Sequence, residues 1–188
     1  TGLRRIARNA HGAAHLAAKA LRELGYKLLG ELFFDTIVVE MPSDAVLAQL
    51  KQGAKEAELN FCYRADGRVS LSFDELSTAE EVARVVQLFA AAVGKPTIPV
   101  TSIEVFDSIG GLGRSTPFMT ERVFNTYHSE TEMMRYIHNL VRKDISLTNS
   151  MISLGSCTMK LNSAASMLPL TWAEFAAPHP FAPAEQVP

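Results

Sequence analysis

The sequence predicts an α/β chain, more narrowly a small α+β domain: a small sheet with helices on one face, followed by an extended and partly helical segment. Three observations predict it. The apolar residues of 1–94 switch between helical and strand periods in the order helix, strand, helix, strand, strand, helix. Capping and turn residues stand where the period changes. Beyond Gly94 the periodicity stops, and Pro96, Pro99, Gly110, Gly111, Gly113 and Pro117 punctuate the chain up to about residue 127. A sheet with one apolar face needs helices to cover it, which makes the layered arrangement the natural solution for residues 1–94.

The first helix is read over residues 3–24, where Leu3, Ile6, Ala10, Ala14, Ala17, Leu21 and Leu24 recur at helical spacing. Gly25 is its C-terminal cap, because glycine adopts the left-handed conformation there without a Cβ clash. Residues 31–41 form a strand candidate around the β-branched Ile37-Val38-Val39. Ser43 caps a second helix with Val46, Leu47, Leu50, Ala54 and Ala57 on its apolar face. Residues 60–63 and 68–73 read as short strands about the turn Ala65-Asp66-Gly67. Ser77-Thr78-Ala79-Glu80-Glu81 holds two overlapping capping boxes, and a third helix follows to about Val93. Ser129-Glu130-Thr131-Glu132 is another capping box, opening a helix through Met133, Met134, Ile137, Leu140 and Val141. The tail, with Pro169, Pro178, Pro180, Pro183 and Pro188, is irregular apart from a short turn around 171–176.

Composition narrows the function classes. A net charge of -2 gives no electrostatic case for nucleic acid or an anionic membrane. No apolar run approaches the roughly 20 residues of a membrane helix. Two cysteines, Cys62 and Cys157, make neither a disulfide framework nor a zinc spacing, which fits a reducing, intracellular setting. The chain begins at Thr1 inside a helical pattern without an initiator Met, so the expectation is a piece of a longer protein that carries no targeting segment of its own.

Four stretches carry candidate chemistry. His11 and His15 stand four apart, but the run His-Gly-Ala-Ala-His lacks a general-base glutamate and a third ligand, so no metal is expected. Residues 109–116 resemble a phosphate cradle in composition but lack its spacing, and a linker is the better reading. His128 is a weaker candidate beside the Ser129 cap. The densest stretch is Leu154-Gly155-Ser156-Cys157-Thr158-Met159-Lys160-Leu161-Asn162. Cys157 is a possible nucleophile given a base in space, and Lys160 a possible Schiff-base lysine if desolvated. Ser156, Thr158 and Asn162 can hydrogen-bond a carboxylate or phosphate, and Gly155 lets backbone amides approach a ligand. A polar turn before a helix accounts for the same composition equally well.

The chain resembles one family closely. The resemblance rests on Phe118-Met119-Thr120, Val123-Phe124-Asn125-Thr126-Tyr127-His128-Ser129-Glu130-Thr131-Glu132, Lys143-Asp144-Ile145-Ser146-Leu147, the Leu154–Asn162 run, Trp172-Ala173-Glu174-Phe175 and His179-Pro180-Phe181-Ala182-Pro183. It extends upstream through Leu32-Phe33-Phe34-Asp35-Thr36 and so covers essentially the whole chain. The family is the glycine decarboxylase P-protein of the glycine cleavage system.

That resemblance implies a pyridoxal-phosphate enzyme that decarboxylates glycine and passes the aminomethyl group to the lipoyl arm of H-protein, the cofactor serving as electron sink. It implies two homologous halves with the fold of type I pyridoxal-phosphate enzymes, and a homodimer of the parent chain. Residues 1–95 then correspond to the small C-terminal domain of the first half, 96–128 to a linker, and 129–188 to the N-terminal segment of the second half. The cofactor lysine of the family belongs to a His-Lys motif further along, absent from this sequence. Lys160 is therefore not that lysine, and the chain alone is expected to be inactive. Ser156, Thr158, Lys160 and Asn162 are expected to line the active site, with His179 as a further candidate; no catalytic residue lies in the chain. The implied location is cytoplasmic in a bacterium and mitochondrial in a eukaryote. The alternative reading is a stand-alone, non-catalytic α/β binding module.

Overall fold

The computed structural model describes residues 2–103, 112–146, 151 and 163–186. The chain divides into two units, Thr1–Arg114 and Ser115–Pro188.

The first unit is an α+β domain. Its elements are α1 (Gly2–Glu23), β1 (Lys27–Leu28), β2 (Thr36–Glu40), α2 (Asp44–Glu56), β3 (Cys62–Tyr63), β4 (Val69–Ser72) and α3 (Ala79–Ala92). The four strands form one antiparallel sheet in the order β1-β2-β4-β3. Register places Ile37 opposite Leu71 and Val39 opposite Val69, so these four share one face. All four are buried, and they join Phe73 in the core. Thr36, Val38, Ser70 and Ser72 alternate onto the other face, where the Thr36 and Ser72 hydroxyls hydrogen-bond at 2.9 Å. Arg68 reaches Glu40 on that same face at 3.3 Å. The period-2 pattern therefore sorts the sheet into one face for the helices and one polar face.

α1 supplies the core mainly with alanine. Ala13, Ala14, Ala17 and Ala18 are fully buried, with Leu21 below them. Small side chains let α1 lie close to α3 and to the strands. α3 contributes Val82, Val86 and Phe89, and α2 contributes Leu50 and Ala54. Each fully buried side chain the size of Val, Leu, Ile or Phe is worth about 1.5–3 kcal/mol.

The three helices end alike. After α1, Tyr26 N–H donates to Leu21 O and Gly25 N–H to Arg22 O, both at 2.9 Å, with Gly25 at φ +95°. After α2, Leu59 N–H donates to Ala54 O and Glu58 N–H to Lys55 O, with Glu58 at φ 56°. After α3, Lys95 N–H donates to Ala90 O and Gly94 N–H to Ala91 O, with Gly94 at φ 64°. All are Schellman motifs, which satisfy carbonyls that the last helical turn leaves open.

Several expectations shift locally. The strand read over 31–41 is regular only from Thr36, and the two-residue β1 precedes it. Of the two overlapping capping boxes, Thr78 with Glu81 forms, while the Ser77 hydroxyl bonds to Asp74 instead. Leu3 and Ile6 sit at the right helical spacing but are 53% and 42% exposed, and the buried part of α1 begins at Ala10.

The second unit contains α4 (Glu130–Val141), α5 (Ala164–Met167) and α6 (Ala173–Ala176), with short 3-10 turns at Arg122–Asn125, Leu168–Thr171 and Ala184–Gln186. Among its described residues none is buried. Its order comes from local bonds. Ser129 and Glu132 close a reciprocal capping box on α4, the Tyr127 and Tyr136 rings stack at 4.3 Å, and Ser163 caps α5.

Candidate functional site

The densest candidate stretch, with Ser156, Cys157, Thr158, Lys160 and Asn162, lies outside the described residues, as do residues 109–111 of the 109–116 stretch, whose described part, 112–116, is exposed. Its described neighbours are α4 on one side and 163–186 on the other. His179 is exposed there, and the Phe181 N–H donates to its Nδ1 at 3.1 Å. With Nδ1 accepting, the neutral ring carries its proton on Nε2. The imidazole also lies against the Phe181 ring at 5.8 Å. His179 is thus held in one tautomer by its own turn and offers an N–H donor at the surface.

His128 serves α4 through its backbone: its N–H donates to Glu132 Oε2 at 3.3 Å. The Ser129 hydroxyl, then the Ser129 and His128 amides, hold the Glu132 carboxyl below the usual glutamate range.

In the first unit His11 and His15 take a structural part. His11 is buried and donates from Nδ1 to the Phe34 carbonyl at 2.7 Å. Its ring stacks on Phe34 at 5.9 Å, and Phe33 lies against both imidazoles. This fastens the 29–35 loop onto α1. Among the described residues no group of three or more His, Cys, Asp or Glu side chains is placed to hold a metal.

A pyridoxal-type cofactor needs a lysine whose amine is desolvated, so that it is neutral and nucleophilic. The described lysines, Lys19, Lys27, Lys51, Lys55, Lys95 and Lys143, are all exposed. Lys95 donates from Nζ to the Leu24 carbonyl at 2.5 Å, at the end of α1. Lys51 lies 5.0 Å from the centre of the Tyr63 ring, whose phenol is pushed up by burial. The described residues do not fit the cofactor's anchor.

One concavity was not anticipated from sequence. A shallow groove of about 590 Å³ lies between the first turns of α1 and the 75–79 segment, lined by Arg5, Ile6, Asn9, Leu76 and Ile103 among others. Asn9 Nδ2 donates to the Ser77 carbonyl at 3.1 Å across its floor. The one hint in the sequence is Leu3 and Ile6 at the start of α1, apolar where the helix has no core to fill.

The architecture defines the first unit as a small α+β domain with its sheet covered on one face. A family model described as "Glycine cleavage system P-protein" matches residues 1–89. Curated relatives align with nearly the whole chain. Glycine dehydrogenase (decarboxylating) of Flavobacterium johnsoniae is 42% identical over 186 residues, 98% of this chain and 19% of that protein. The Bacteroides fragilis protein of the same name is 44% identical over 186 residues, 98% of this chain and 20% of the relative. That of Nostoc punctiforme is 41% identical over 199 residues, with the same two coverages as the Bacteroides protein. The chain belongs to the glycine cleavage system P-protein family. It spans about a fifth of the length of the curated relatives it matches. No described helix is long and apolar enough to cross a membrane.

Proposed function

We propose that this chain is one section of a pyridoxal-phosphate-dependent P-protein that decarboxylates glycine and transfers the aminomethyl group to the lipoyl arm of H-protein, and that the section is inactive alone. The carrying observation is the alignment of 98% of the chain with only about a fifth of each glycine dehydrogenase (decarboxylating). The absence of any buried residue among the described part of the second unit supports it. A segment that buries nothing by itself gains little of the apolar stabilisation that independent folding requires.

In this reading residues 1–95 close the first half of the enzyme, 96–128 connect, and 129–188 open the second half. Ser156, Thr158 and Asn162 contact the substrate carboxylate or the backbone around it. Lys160 adds positive charge, and His179 contributes a surface donor. The cofactor supplies the electron sink, and its lysine lies elsewhere in a parent polypeptide that dimerises. The parent is cytoplasmic in a bacterium or mitochondrial in a eukaryote.

Titration of the 188-residue chain with pyridoxal phosphate, followed by borohydride and peptide mapping, tests the assignment. The expected result is no stoichiometric absorbance band of a cofactor–lysine imine and no pyridoxyl group on Lys160. Stoichiometric labelling of Lys160 overturns it.

A further inference from the structure

We propose that the apolar face of α4 is an intramolecular docking surface, seated in a groove formed by the part of the polypeptide outside these 188 residues. The existence of that polypeptide rests on the function proposed above; the surface itself rests on the geometry of α4.

At 100° per residue, Met133, Ile137, Leu140 and Val141 fall on one side of α4, flanked by Met134. Glu132, Arg135, His138 and Asn139 fall on the other, while Glu130, in the first turn, lies at the N-terminal edge of the apolar stripe. Such a stripe normally faces a core. Here Ile137 is 48% exposed, Leu140 45%, Val141 44% and Met134 63%. The helix is nevertheless a finished element. Its N-terminus is closed by the Ser129–Glu132 box, and Tyr136 is stacked on Tyr127. The anchors recur at the i, i+4 and i+7 positions of a helix laid in a groove, as Met133, Ile137 and Leu140.

The occupant follows from two observations. The polar face mixes Glu132 with Arg135, unlike the Lys/Arg-rich face of a helix that lies on a membrane. About four-fifths of each relative's length lies outside the part that this chain matches, attached covalently and so present at high effective concentration. A second copy of the same face is the competing occupant, and dilution separates the two.

The test uses the full-length polypeptide that carries this segment, with Ile137→Cys on the apolar face and Arg135→Cys on the polar face. Maleimide labelling of each position is read by peptide mass spectrometry. Met133→Cys is the second apolar variant should Ile137→Cys fail to fold. The expected result is labelling at position 137 or 133 roughly tenfold or more slower than at 135 at every protein concentration. Equal rates in the folded full-length protein overturn the proposal. Protection that disappears on dilution overturns it in favour of a second copy. Glycine turnover measured on the same samples keeps the two readings apart: turnover without protection removes the docking surface alone, and protection without turnover removes the glycine reading alone.

Discussion

The Tyr26 hydroxyl donates to the Phe89 carbonyl at 2.8 Å while the two rings meet edge-on at 5.2 Å. Phe89 lies in the last turn of α3, where carbonyls lack the amide four residues on. Tyr26, the residue that completes the Schellman motif of α1, thus also closes α3. One side chain ties together the ends of two helices.

Tyr26→Phe keeps the ring contact and removes the donor from a buried carbonyl. The expected loss is about 1–2 kcal/mol, read as a lower urea midpoint with an unchanged slope. Burial also pushes the Tyr26 phenol from 10.0 up to about 12. The folded state therefore holds this proton more tightly than the unfolded state. That contribution is complete below pH 10.0 and is lost as pH rises toward about 12. Alkaline unfolding of the wild type should steepen in that window, and the Tyr26-dependent part of the steepening should vanish in Tyr26→Phe.

The helix ends give a matched pair of backbone tests. Gly25→Ala places a Cβ on a residue at φ +95° and 3.2 Å from Lys95 Nζ, with an expected cost of about 1–2 kcal/mol. Glu58 occupies the equivalent position after α2 at φ 56° without being glycine. Glu58→Gly should stabilise by about 0.5–1 kcal/mol. Thermal melts of the two variants should move in opposite directions.

For α4 the test is electrostatic. The Glu132 carboxyl is held low by the Ser129 hydroxyl and by the amides of Ser129 and His128. A depressed folded value means a contribution present above the ordinary glutamate range and lost as pH falls through the folded value. Carboxyl chemical shifts should show Glu132 titrating below the other exposed glutamates in the wild type and moving up toward them in Ser129→Ala.

The active-site expectation is kinetic. In the intact parent, Ser156→Ala or Asn162→Ala should lower glycine turnover by about 1–3 kcal/mol of transition-state stabilisation, with unfolding midpoints nearly unchanged. Normal kinetics in both variants would return the stretch to a polar turn.

Elements specified by neighbouring residues were legible in the sequence. Ser43, Thr78 and Ser129 cap the helices expected of them, and Gly25 adopts its left-handed conformation. β1 was not legible, because two residues show no alternation; Lys27 and Leu28 become a strand only through Glu40 and Val39 on β2. The choice of Thr78 over Ser77 was open for a similar reason, since either hydroxyl has a glutamate three residues on. Among the candidate site residues, His11 and His15 read as a helical pair, and packing against Phe33 and Phe34 gave them a structural part.

The sequence by itself determined the helices, their caps, the polar and apolar sides of the strands, and the family, because each is written in residues a few positions apart or in specific runs. Only the tertiary structure decided which apolar residues are covered. Leu21 and Ile137 are equally well placed on the apolar faces of their helices, yet Leu21 is fully buried and Ile137 is 48% exposed. Burial depends on a second surface brought from elsewhere in the fold, and helical periodicity specifies only that one is required.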